Sequence, residues 1–211
     1  MMKKIFFLMM VSSTAASQNS SNYFGISSGL NLVYSDQYPE ASSSFCAGVF
    51  YEHLFHSGKW GLQAGVNYLP VTLKETKFEC PWEPWFCNFP DKQLDRFQII
   101  EFPVSLKWNL KVNKNLKHDF FIMPGYSFGF IADTSEINFK DGNREKSSIP
   151  GLTGLVKTVH FATLGFEYAR PITSMVDISI NSIFKITNIY DEKYGYIYSM
   201  EISVRIKYLM Q

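Results

Sequence analysis

From Tyr198 to Tyr208 the chain alternates in polarity residue by residue, inside the stretch YIYSMEISVRIKYL that runs from Tyr196 to Leu209. Tyr196, Tyr198, Met200, Ile202, Val204, Ile206 and Tyr208 share one parity. Ser199, Glu201, Ser203, Arg205 and Lys207 share the other. Successive side chains of an extended strand point to opposite faces, so this period predicts a strand with one apolar face and one charged face. A helix of the same composition would scatter the charges around its circumference.

The same period recurs along the chain. Phe24, Ile26, Leu30, Leu32 and Tyr34 oppose Gly25, Ser27, Gly29 and Asn31; Phe45, Ala47, Val49 and Tyr51 oppose Cys46, Gly48 and Glu52. Trp60, Leu62, Ala64, Val66 and Tyr68 oppose Gly61, Gln63, Gly65 and Asn67. Ile100, Phe102, Val104, Leu106 and Trp108 oppose Glu101, Ser105, Lys107 and Asn109. Three further segments, around Tyr126–Phe130, Ala162–Tyr168 and Val176–Lys185, repeat the pattern. With the closing stretch they make eight strands. The connections alternate between short (LFHSGK, KVNKNLKHD, RPITS) and long (35–44, 70–96, 134–158, 187–195). This predicts an all-β, eight-stranded antiparallel up-and-down transmembrane barrel, with tight turns in the periplasm and long loops outside.

Alternation alone leaves a second fold open, a periplasmic lipocalin-like barrel with the faces inverted. The ends of the strands favour the membrane. Trp60, Trp108, Tyr168 and Tyr208 sit on the apolar parity near the short turns, and Tyr34, Tyr68, Tyr196 and Tyr198 near the long loops. Two aromatic bands of this kind match the two interfaces of a bilayer. Hydrophobic residues form 46% of the chain and aromatics 17%, yet mean hydropathy is only −0.07, as suits residues that face two environments by turns. No apolar run approaches the roughly 20 residues of a spanning helix. A net charge of +1 gives no pull toward nucleic acid.

The N-terminus, MMKKIFFLMMVSSTAASQ, carries Lys3 and Lys4, a short apolar core from Ile5 to Val11 and small residues Ala15-Ala16-Ser17. It predicts a signal peptide over 1–17 and a barrel domain over 18–211; a frayed helical start is the alternative. Cys80 and Cys87 flank a Pro- and Trp-rich tip, CPWEPWFC, where an exported protein would form a short disulfide or keep two thiols. Neighbouring residues supply no further zinc ligands. Cys46 reads as a small buried residue.

With these residues in hand, the chain resembles the PorT-like outer-membrane β-barrel proteins of Gram-negative bacteria. The resemblance rests on FGISSGLNLVYS, IIEFPVSLKWNL, ATLGFEYARPI, the leader ending before Gln18 and the final alternation. It covers the mature chain through generic barrel features. It implies residence in the bacterial outer membrane, contact with the barrel assembly machinery, and a role as accessory to protein export. Such barrels commonly end on an aromatic residue, whereas this chain ends Tyr208-Leu209-Met210-Gln211, leaving Tyr208 for that signal.

Eight strands enclose a lumen just wide enough for side chains. Glu101, Lys107, Glu167, Asp177, Lys185, Glu201, Arg205 and Lys207 all fall on the lumen parity, so a network of ion pairs is expected there, closing the pore or lining a narrow permeation path. Trp82, Trp85, Phe86 and Phe89 crowd the longest loop, as an aromatic lid or as a surface for an unknown extracellular or periplasmic partner. A lipid-modifying activity would need a base, and His160 falls on the lipid-facing parity with no carboxylate to orient it in VHFATL. No catalytic residue, metal or cofactor is expected. The sequence therefore points to a non-enzymatic barrel in outer-membrane lipid, with a filled lumen and loops that bind or shield. A narrow channel or export accessory is the alternative, and a lipid-modifying enzyme a further one.

Overall fold

A computed structural model describes residues 20–35, 42–55, 58–75, 92–110, 118–140, 143–147, 158–188 and 196–210. The expected signal peptide lies outside them. The strands are β1 (Ser21–Ser35), β2 (Ser42–Phe55), β3 (Trp60–Glu75), β4 (Lys92–Asn109), β5 (Asp119–Lys140), β6 (Asn143–Ser147), β7 (Thr158–Pro171), β8 (Val176–Asn188) and β9 (Tyr196–Met210). Each pairs antiparallel with its sequence neighbour, except that β5 joins β7 as well as β6, and β9 returns to β1. Eight strands thus close into a barrel, with Phe24 opposite Tyr208 and Ser35 opposite Ile197 along the seam.

β6 is the departure from the expected eight segments. It falls in the stretch expected as the loop 134–158, and folds back on β5, with Glu136 opposite Ser147 and Lys140 opposite Asn143. Asp141-Gly142 between the two strands is a hairpin dipeptide, a local signal that the expectation of an open loop leaves unused. The two runs it joins, with Ser135, Glu136, Arg144, Glu145 and Lys146, are too polar to register as buried strands.

The apolar parity faces outward. Ile26, Leu30, Val49, Val66, Val104, Phe166, Ile180, Ile202, Val204 and Ile206 are all exposed, which only a hydrocarbon surround makes favourable for so continuous a band. At the short-turn end Phe55 stacks on Trp60 with ring centroids 4.1 Å apart, and Phe120 lies 5.0 Å from Tyr168. Toward the long loops Tyr34 approaches Tyr198 at 6.3 Å, and Phe102 stacks on Phe128 at 5.1 Å.

Above the level of Tyr68, Ile100 and Phe130 this polarity reverses. On β3 the apolar residues switch to Leu69, Val71 and Leu73, all buried; on β4 Phe97 and Ile99 are buried while Arg96 and Gln98 are exposed. Gln98 Nε2 donates to Asp133 Oδ2 across the outer surface at 3.3 Å. The pairing register also slips here: Ile99 meets Ile131 and Gln98 meets Asp133, leaving Ala132 as the extra residue of a bulge. Leu69, Val71, Leu73, Phe97 and Ile99 pack with Val33, Cys46, Val159, Phe161 and Ile197 into an apolar cluster inside the barrel. Here the wall behaves like a water-soluble barrel, apolar within and polar without.

The reversal gives a direct test. Val104→Arg, on the outer face within the apolar band, should cost about 2–4 kcal/mol toward the bilayer midplane. Gln98→Arg, above the reversal, should leave stability within about 0.5 kcal/mol. Urea midpoints of the two variants refolded in lipid vesicles compare them; equal losses would place the membrane boundary elsewhere.

Candidate functional site

Every strand of the barrel except β6 sends its minor parity inward, and the small residues there decide how closely the walls approach. At Gly25 a Cβ would collide with the Phe50 ring of the neighbouring strand. Its absence leaves room for that ring, over which the Arg205 guanidinium sits at 4.9 Å.

Two clusters of ion pairs occupy the lumen. Nearer the short turns, Lys107 on β4 donates to Glu52 Oε2 at 2.7 Å and to Glu167 Oε2 at 2.9 Å. Lys207 on β9 reaches Glu167 Oε1 at 2.7 Å and Glu52 Oε1 at 3.5 Å. Arg205 lies 3.5 Å from Glu167 and donates to Gln63 Oε1 at 2.9 Å. The Phe121 ring faces both lysines, with Lys107 Nζ at 4.3 Å from its centroid. Nearer the long loops, Lys185 on β8 bridges Glu101 at 2.6 Å and Glu201 at 3.0 Å. Ser127 donates to Glu101 at 2.6 Å and Ser203 to Glu201 at 3.1 Å, while Asn67 Nδ2 lies 3.5 Å from Glu101.

All eight ionic groups are buried. Charges in so dry a space must be paired and hydrogen-bonded. The cluster toward the turns holds three cations against two carboxylates, and the other holds two carboxylates against one cation. The two are neutral only together.

The structure places Glu101, Lys107, Glu167, Lys185, Glu201, Arg205 and Lys207 in these two clusters. Asp177 is the exception among the eight named from sequence. It is half-buried at the turn-end rim beside Lys207 in the ladder, but the lysine ammonium turns to Glu167 and Glu52 instead. Glu52 takes its place, with Gln63, Asn67 and Ser127 as neutral partners. Glu52 and Gln63 sit on the inward parity in sequence; buried Phe50 and Leu54 on either side of Glu52 disguise it as a core position. Trp82, Trp85, Phe86, Phe89, Cys80 and Cys87 lie outside the described residues, and Cys46 is a buried free thiol.

One wall of the lumen is less fully paired. Asn31 on β1 and Asn181 on β8 are wholly buried, and neither amide nitrogen nor oxygen of either finds a partner among the described residues. Ser179, Thr187 and Ser199 on β8 and β9 add hydroxyls in the same condition. His160 lies on the exposed outer face of β7 and shares a hydrogen bond with the Tyr126 hydroxyl. No group of three or more His, Cys, Asp and Glu among the described residues is arranged to hold a metal ion.

The chain matches no protein-family model, and no curated protein is similar to it in sequence. Solved structures are similar in fold. Neisserial surface protein A superimposes with a TM-score of 0.53 at 10% identity, covering 90% of this chain and 99% of that one. A major outer membrane protein from Thermus thermophilus gives 0.47 at 9% identity over 90% and 99% of the two chains. Ail of Yersinia pestis, crystallised with the heparin analogue sucrose octasulfate, gives 0.46 at 8% identity over 92% and 100%. The likeness is one of architecture, a closed eight-stranded antiparallel barrel like that of Neisserial surface protein A.

Proposed function

We propose that this chain is a non-enzymatic integral protein of the bacterial outer membrane, with a lumen filled by side chains and extracellular loops that bind or shield. The observation that carries this reading is the occupancy of the lumen. From the short turns upward, Tyr23, Leu54, Phe121 and Ala169 pack together, the two ion-pair clusters follow, and the cluster of Leu69, Val71, Phe97, Ile99 and Phe161 fills the loop end. An aqueous path would have to cross both apolar layers. The longest connection, between Glu75 and Lys92, leaves from the loop end and bears the sequence CPWEPWFCNF. Trp82, Trp85, Phe86 and Phe89 are the residues we assign to recognition of a partner or to a protective lid. Kinship with the PorT-like family is part of the same proposal.

A second reading, the narrow channel or export accessory, draws on the unpaired wall formed by Asn31, Asn181 and Ser199. Such groups are normally hydrated when buried. Single-channel recording in planar bilayers separates the two: the filled lumen predicts no discrete steps, and steady steps would overturn it. For a lipid-modifying enzyme the candidate base is His160, on the lipid face and bonded to a tyrosine. Its His160→Ala variant should leave the lipid profile of the host membrane unchanged.

Lys185 supplies a stability test. Lys185→Met strands Glu101 and Glu201 as buried carboxylates and should cost about 3–5 kcal/mol, whereas the double variant Lys185→Met/Glu101→Gln, which removes one charge of each sign and so keeps the balance between the clusters, should recover part of it. Urea midpoints of the refolded proteins make the comparison. Orientation can be read from trypsin added to intact cells. Cleavage is expected after Lys77, and cleavage after Lys114 only once the outer membrane is permeabilised; the opposite order would invert the topology.

A further inference from the structure

Outside the lumen, a groove of about 740 Å³ lies on the barrel exterior at the short-turn end, lined by Lys59, Trp60, Leu106, Trp108 and Leu110. Its size is that of a small-molecule site and its lining is mainly apolar; Lys107 and Asn109 also border it, but the Lys107 ammonium is turned into the lumen, which leaves Lys59 as the exposed cation. Trp60 and Trp108 stand directly opposite each other on β3 and β4, 39% and 62% exposed. The Trp60 indole is held in place. Phe55 stacks on Trp60 at 4.1 Å, and His53 meets the edge of Phe55 at 4.2 Å. The turn that carries Lys59 is also tied down. Asn109 donates its backbone N–H to the Lys59 carbonyl at 2.8 Å and its side-chain amide to Gly58 O at 3.2 Å and Asp119 Oδ1 at 2.8 Å. Gly58 takes a φ of 81°, a conformation that suits glycine at this corner.

We propose that this groove binds an anionic phospholipid of the periplasmic leaflet. The Trp60 and Trp108 rings and Leu106 take the upper acyl chain, and the Lys59 ammonium takes the headgroup phosphate. The inference rests on the outer-membrane reading above, which sets the short turns at the inner leaflet. Charge selects the anionic class. Lys59 is exposed at the groove's rim, while the nearby carboxylate, Asp119, is already engaged by Asn109. In sequence the connection leaving Leu110 reads KVNKNLKHD, which adds three lysines to this end of β4 and no carboxylate before Asp119. Aromatic rings at an interface hold any lipid; a cation on an anchored turn beside the two indoles distinguishes one headgroup from another.

The test uses the full chain in vesicles, with Trp82→Phe and Trp85→Phe so that emission comes from Trp60 and Trp108. Vesicles of phosphatidylcholine are doped with dibrominated phosphatidylglycerol or dibrominated phosphatidylcholine at equal mole fraction. The proposal expects the brominated anionic lipid to be about fivefold preferred, the ratio that one cation near the surface provides. Lys59→Gln should bring the ratio to near one without changing quenching by the zwitterionic lipid. Trp108→Ala should weaken association of both, with heat-modifiable gel mobility confirming a folded barrel. Equal quenching by the two lipids in the parent protein would overturn the proposal, leaving an ordinary annular surface. Absence of quenching by either lipid would overturn the membrane reading itself, and the lipid site with it.

Discussion

Hydrocarbon offers a peptide group no hydrogen-bond partner, and the rest of this molecule follows from that constraint. A sheet that satisfies every backbone group must close, and β1 therefore has to meet β9. A closed sheet of eight strands has an interior too narrow for bulk water. Once the apolar parity is committed to lipid, Glu52, Lys107, Glu167, Lys185, Glu201, Arg205 and Lys207 have nowhere to go but inward. There they must find one another. The ion pairs are the necessary companion of the apolar exterior rather than an independent source of stability.

The same logic, applied in reverse, marks where the membrane stops. Once the wall rises into water, apolar groups gain by turning inside and polar ones by turning out. Leu69, Val71, Leu73, Phe97 and Ile99 do the first, Arg96 and Gln98 the second. Backbone and side chains agree about the level, because the bulge at Ala132 lies there as well. The loop-end cluster is thus an ordinary hydrophobic core mounted on a membrane barrel. It supports the base of the long connection between β3 and β4.

Parity was the legible part of this sequence. It marked the eight barrel strands, the outward face and seven of the eight network charges. What it could not supply was distance across the lumen. Lys107 and Glu52 are 55 residues apart in sequence, and Arg205 and Gln63 are 142 apart. Which inward residues share a level depends on how far the strands are staggered on closure, a property of the whole barrel rather than of any segment. Asp177 stands directly across from Lys207 in the ladder, yet the lysine reaches over the lumen to Glu52 and Glu167, contacts that no single segment contains. The apolar loop-end core was hidden differently. Leu69, Val71 and Leu73 continue an apolar run past Tyr68 with a change of parity, which reads in sequence as lost alternation rather than as an exchange of solvents.

The charge balance of the lumen bears on how the barrel is made. Within the two ion-pair clusters, the strands other than β9 supply Glu52, Glu101 and Glu167 against Lys107 and Lys185, an excess of one carboxylate. β9 brings Glu201, Arg205 and Lys207, an excess of one cation. An open sheet lacking β9 would hold those clusters unbalanced, and the strand that completes the hydrogen-bond ladder also neutralises them. β9 is therefore the counterion of the clusters built on the other strands, which favours a cooperative closure over a persistent half-zipped intermediate.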